Sequence, residues 1–288
     1  MSARWQIRFL GRTAAAAAVA LCALLVAPGT AFGWGANAQK LITNKAVDTL
    51  PPDMRPFFDA KRNLLIESSA EPMEAFLRSP GGERRNRYIY LDRYGRFPFD
   101  NLPRDYKTAV RKFTKSKLEA NGVLPWQIGL YSEKLTNAFK ARNWDEVRQF
   151  AAILAHYVAQ AHDPFATTEN FDGHLSNQLG ADQRFTSRLV DRFSLFFFIL
   201  PNEAVQISDP TDHAFESCLN AHSWLEQILL ADRRARRGLH DYTDEFYDRF
   251  YNQAGAILIR GVSDAATDVG SYWLTAWNNA GRPQLPGR

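Results

Sequence analysis

Cysteine is almost absent from this 288-residue chain: Cys22 and Cys218 are the only two. Cys22 lies in an amino-terminal apolar run expected to be removed, so Cys218 has no partner for an intramolecular disulfide. Methionine is scarce too, with three residues. No Gly-x-Ser-x-Gly elbow and no Walker A loop occur, and Cys218 has only Asn220 and His222 near it in sequence. These absences exclude the common serine-hydrolase and P-loop signatures and leave no cysteine–histidine catalytic pattern. There is no strand–helix alternation and no fixed-period repeat, which excludes a parallel-sheet fold and a solenoid.

The long apolar run that does occur is at the start. Arg4, Arg8 and Arg12 precede an Ala/Leu/Val stretch from Thr13 to Val26, and Ala31-Phe32-Gly33 has the small-x-small form of a cleavage site. Residues 1–33 read as a secretory signal peptide, too short in its apolar part for a membrane span. The protein is then expected to be secreted or periplasmic, with no transmembrane segment after cleavage. The mature chain is 288 less 33, or 255 residues, beginning at Trp34. It loses three arginines and no acids, so its formal charge is +4 less 3, or +1. The basic balance is partly a property of the leader and does not point to nucleic acid. A chain of this size can bury a sufficient apolar core.

Apolar spacing in the mature chain is mostly helical. Helices are expected over Trp34–Leu50, Pro52–Ala60, part of Asn63–Arg78, Arg104–Asn121, Leu124–Arg142, Trp144–Ala161, Asp182–Leu200 and Asp212–Arg237. Asp241–Asn279 is a long periodic stretch with a possible break at Gly261. Arg87–Asp92 alternates as an extended segment would. The reading is an all-α, compact multi-helix bundle forming a single domain over 34–288, expected to be a monomer.

Ser194-Leu-Phe-Phe-Phe-Ile-Leu200 is the most apolar stretch of the mature chain, and core packing is expected for it in preference to membrane contact. The Arg233–Arg237 cluster reads as a solvated helix end that complements the helix dipole. His156 and Gln160 fall opposite the Val147/Phe150/Leu154/Val158 stripe, a solvated face or a pocket wall. His162 reads as a helix-end residue, His174 as an exposed loop residue, and Asp182 as the N-cap of the helix carrying Arg184. His213, His222 and His240 show no ligand spacing.

Three patterns together resemble the zinc-dependent phospholipase C and S1/P1 nuclease family, in its bacterial branch. They are Trp34-Gly35 after the cleavage site, Leu154-Ala-His156-Tyr-Val-Ala-Gln160-Ala-His162-Asp-Pro164-Phe165, and Asn170-Phe-Asp-Gly173 followed by Gln178-Leu-Gly180 and Arg184-Phe185. The resemblance covers Trp34 to about Phe193. It implies a compact all-α bundle holding three zinc ions in a cleft and hydrolysing phosphodiesters of phospholipids or single-stranded nucleic acid. It also implies that the processed amino terminus of Trp34 binds zinc.

Set against the family pattern, most ligand positions are substituted. Trp34 and His156 are kept, Glu71 replaces an aspartate, and Asp182 stands where the family has a histidine. Gln39, Arg87, Gln160, Ala166 and Thr186 occupy the other positions. Zinc takes nitrogen, sulfur or carboxylate donors, about three or four per ion, and a guanidinium repels a dication. The resemblance therefore leads to a homologue that has lost its zinc cluster and needs no cofactor. Arg87 is expected to pair with Glu71, and Gln39 and Gln160 to satisfy the remaining polar groups. Such a protein acts by binding a small molecule, a lipid head group or a phosphodiester in the old cleft, with no specific nucleic-acid motif. The opposing expectation is an active zinc-dependent hydrolase of phosphoric ester bonds, using Trp34, Glu71, His156 and Asp182.

Overall fold

A computed structural model describes residues 33–70 and 83–286. Leader residues 1–32 and residues 71–82, Glu71 among them, lie outside the described residues. The fold is an all-helical bundle, with no strand among the described residues.

Local signals account for the helix ends. Helix α1 (Ala36–Asp48) is followed by the short α2 (Arg55–Asp59) and by α3 (Arg62–Ala70). Helices α4 (Tyr106–Phe113) and α5 (Lys115–Asn121) meet at Thr114, and Asp105 caps α4 by accepting from the Thr108 N–H at 2.8 Å. Helix α6 (Leu124–Ala141) carries Pro125 in its first turn and ends at Arg142 in the left-handed conformation. Asn143 then caps α7 (Trp144–Ala161), so α6 and α7 form a tight helical hairpin. Beyond a loop, α8 (Ala181–Gln183) runs through a π turn at Arg184–Arg188 into α9 (Leu189–Phe193). Asp209 caps α10 (Pro210–Ser223), which breaks at Trp224 before α11 (Leu225–Ala235). The chain closes with α12 (Asp244–Asn279), 36 residues or about 54 Å long.

α7 lies at the centre, against α1, α3, α6, α10 and α12. Its alanines 151, 152, 155, 159 and 161 are buried and let neighbours approach closely. α12 packs on α1, α6, α7 and α11. At Gly270 a Cβ would stand 1.9 Å from Thr49 Oγ1, so only glycine fits that crossing with α1. No helix among the described residues is long and apolar enough to cross a membrane.

Several expectations change. The 104–121 and 212–237 stretches are each two helices, whereas α12 is unbroken: Gly261 faces the Trp34 indole and interrupts nothing. The extended reading of 87–92 holds only in part: Tyr88 is extended, two 3-10 turns flank residues 88–90, and the N–H groups of Ile89 and Tyr90 donate to the Ala166 and Asn121 carbonyls. The largest correction concerns residues 194–200. The helix stops at a 3-10 turn, Ser194–Phe196, and the backbone then runs extended. Leu195, Phe196, Phe198 and Leu200 are 94%, 67%, 82% and 78% exposed, not packed in the core. Downstream, the N–H groups of Asn202, Val205 and Ile207 donate to the Thr267, Ser271 and Thr275 hydroxyls of α12, at 2.9, 3.0 and 2.8 Å. A stripe of hydroxyls four residues apart thus serves as partner for an extended chain that no strand accompanies.

Candidate functional site

The polar groups singled out from the sequence gather around the last three turns of α7. His156 and Gln160 are 0% and 1% exposed, so neither lies on a solvated face. Helices surround α7 on the side opposite its apolar stripe as well, which is why periodicity alone misplaces them.

His156 Nδ1 stands 3.2 Å from the Ser69 carbonyl. A carbonyl only accepts, so Nδ1 carries the proton and Nε2 presents a lone pair. Nε2 has no hydrogen-bond partner among the described residues. Burial pushes the imidazole pKa down to about 3, and the nearby Arg87 charge pushes in the same direction. The neutral ring is therefore the form present at ordinary pH. Arg87, at the end of a 3-10 turn, is itself shifted down by burial, with Tyr157 and Glu83 opposing that shift. The Tyr157 hydroxyl donates to Glu83 Oε2 at 2.5 Å, and Asn86 Nδ2 donates to the same oxygen at 3.0 Å.

Gln39 Nε2 donates to the Ala155 carbonyl at 3.3 Å and to Thr43 Oγ1 at 3.4 Å. Its Oε1 has no partner among the described residues, and neither does Gln160 Nε2. Among the described residues the two amides thus leave these polar groups only partly satisfied. The expected Arg87–Glu71 pair involves a residue outside the described ones.

At the other end of the cluster the chain enters α1. The Trp34 side chain is buried, and its Nε1–H donates to the Ala159 carbonyl at 2.8 Å. Gly33 has φ +60°, and a Cβ there would lie 1.7 Å from Gln160 Oε1 and 3.0 Å from Asp163 Oδ2. The backbone leading into Trp34 is therefore pressed against these two side chains. Asp163 is fully buried; its Oδ1 accepts from the Phe165 N–H at 2.9 Å, and Oδ2 has no partner among the described residues. Burial raises its pKa to about 8, and the charge of Asp182 adds to the rise. Asp182 does not cap its helix: Gly180 does, and Asp182 Oδ1 accepts from the next N–H. Thr186 turns its hydroxyl to the Asp182 carbonyl at 2.8 Å, and Ala166 contributes only backbone groups: its N–H donates to the Asp163 carbonyl and its carbonyl accepts from Ile89.

These side chains do not fit a zinc cluster. Among the described residues no group of three or more His, Cys, Asp and Glu side chains converges as a metal site would require. At the described ligand positions the donors are the His156 imidazole and the Asp182 carboxylate, with Asp163 beside it, while Gln39 and Gln160 are amides and the Arg87 guanidinium repels a dication.

Two groupings were not foreseen. One is Asp163 against the backbone that enters Trp34. His162 Nε2 lies 2.8 Å from Asp268 Oδ2, Ser217 Oγ donates to that oxygen at 3.0 Å, and His213 Nε2 lies 3.0 Å from Oδ1, off the hydrogen-bond direction. Burial alone would raise the Asp268 pKa, yet the two histidines hold it well below the usual carboxylate range. Nothing in the sequence signals this convergence of α7, α10 and α12. By contrast, the Gln178–Arg184 motif is structural: Arg184 pairs with buried Asp232 at 2.7 and 3.0 Å, and Gln178 Nε2 donates to the same carboxylate at 2.8 Å.

No protein-family model matches the chain, and no curated protein matches it in sequence. Among solved structures it is similar to the alpha toxin from Clostridium absonum, with a TM-score of 0.51 and 10% identity. The match covers 87% of this chain and 65% of the toxin, so the chain spans less than two thirds of the toxin's length. At that identity the likeness speaks for the fold: distantly phospholipase C-like and all-helical.

Proposed function

We propose that this chain is an exported phospholipase C-like protein, a pseudoenzyme that has exchanged its metal cluster for fixed polar groups and acts by binding. In this reading the mature protein is one domain beginning at Trp34 and works as a monomer. The observation that carries it is the Arg87 charge set against the neutral His156, with Gln39 and Gln160 alongside. In this reading Arg87 stands in for the bound cation that the resemblance calls for. The His156 Nε2 lone pair, Gln39 Oε1 and Gln160 Nε2 are buried polar atoms without partners among the described residues, and in this reading they meet a polar ligand such as a lipid head group, a phosphodiester or another small molecule.

One observation favours the alternative, a metal-dependent phosphodiester hydrolase with altered ligands. Asp163 and Asp182 are two neighbouring buried carboxylates, and Asp163 also lies beside the backbone that enters Trp34. A free amino terminus there would complete a small set of O and N donors.

Metal analysis of the mature protein, purified without chelator and passed through gel filtration, separates the two. The binding reading expects less than one zinc per chain and no cleavage of a phosphodiester or phospholipid with added zinc. Two or more retained zinc ions, or chelator-sensitive turnover, overturn it.

A further inference from the structure

The extended segment after α9 is an apolar ridge with a rigid base. Leu195, Phe196, Phe198, Leu200 and Val205 are 60–94% exposed. The exposure is not that of a loose loop. Phe193 stacks on Tyr251 with ring centroids 4.3 Å apart, Phe197 flanks the same ring at 6.1 Å, and Ile199 is buried. Beyond them the backbone is tied to the hydroxyl stripe of α12. Inward and outward side chains alternate from Phe197 to Leu200, so the outward set is presented as a fixed edge.

We propose that this ridge inserts into the interface of an anionic lipid membrane. Contiguous exposed apolar side chains of this size mark an interaction surface. The shape favours a deformable apolar medium: Leu195 and Phe198 stand almost wholly clear of the protein, and a protein partner would have to supply a matched socket for each. The charge pattern selects the same occupant. No carboxylate occurs between Asp191 and Glu203, and Asp191 accepts from Asn37. Arg188 and Arg192 stand at the foot of the ridge. Arg192 pairs with Asp244 and lies over the Tyr247 ring, while Arg188 is exposed with no carboxylate in ion-pair range among the described residues. An apolar edge with a cation at its base matches acyl chains beneath anionic head groups. This inference does not depend on the fate of the metal site.

Vesicle sedimentation tests it, comparing pure phosphatidylcholine with phosphatidylcholine mixed with phosphatidylglycerol. The wild-type protein is expected to sediment with the mixed vesicles, less so at high salt. A Leu195→Ser/Phe196→Ser/Phe198→Ser variant, with unchanged circular dichroism and melting temperature, is expected to bind at least about tenfold more weakly. Arg188→Gln is expected to lose part of the preference for anionic vesicles. Failure of the wild type to bind either vesicle overturns the proposal, as does undiminished binding by the triple variant. A concentration-dependent wild-type dimer that the triple variant converts to monomer also overturns it, by assigning the ridge to a second copy of the chain.

Discussion

The buried Arg184–Asp232 pair joins the π turn to α11, and its carboxylate also holds Gln178. Removing one partner strands the other charge out of water, so Asp232→Ala is expected to cost about 3–5 kcal/mol, readable by denaturant unfolding. His213 sets a pH dependence. The adjacent Asp268 carboxylate raises its pKa from 6.5, against the opposing effect of burial. The protonated ring is thus favoured in the folded state. Its stabilisation is full below about pH 6.5 and is lost as pH rises through the higher folded value. In strong acid it fades again as Asp268 takes up its proton. The melting-temperature difference between wild type and His213→Gln is expected to be largest near pH 5–6 and to shrink toward pH 9. A difference independent of pH would mean that the contact is not an ion pair.

At the scale of elements, the break between α4 and α5 is strained. Thr114 has φ +68° and ψ +148°, a region that glycine alone occupies at ease, while its hydroxyl accepts weakly from the Lys117 N–H at 3.4 Å. Thr114→Gly gives up a poor cap and relieves the backbone, with an expected gain of about 1 kcal/mol in thermal unfolding. How far elements are legible from sequence follows from their own signals. α7 has the expected bounds because Asn143 caps it and Asp163-Pro164 stops it. The 194–200 run has no period to read: its six apolar residues suit a buried helix or an extended chain equally, and the Tyr251 ring that Phe193 and Phe197 stack against lies far along the chain in α12. Site residues behave likewise. His156 and Gln160 were visible as a spacing, but their burial was not. The partners Ser69, Asp268 and Gly33 lie 87, 106 and about 130 positions from the groups they meet, beyond any local pattern.

At the scale of the molecule, the resemblance read from three short motifs and the structural likeness to the alpha toxin agree on an all-helical, phospholipase C-like fold, and the likeness carries no activity with it. The described chain shares one connected core, in which Leu258, Val262, Val269, Trp273 and Trp277 of α12 pack with residues from Trp34 onward. Trp273 Nε1–H donates to the Ala151 carbonyl, and its ring stacks on Phe58 with centroids 4.7 Å apart. α12 is therefore the keystone of elements far earlier in the chain. A chain cut before residue 244 loses the packing that α12 supplies to α1, α6, α7 and α11, and it is expected to stay open to protease where the full chain resists. Limited proteolysis of chains ending at residue 243 and at residue 288 reads this directly: the early helices close fully only once a distant segment arrives.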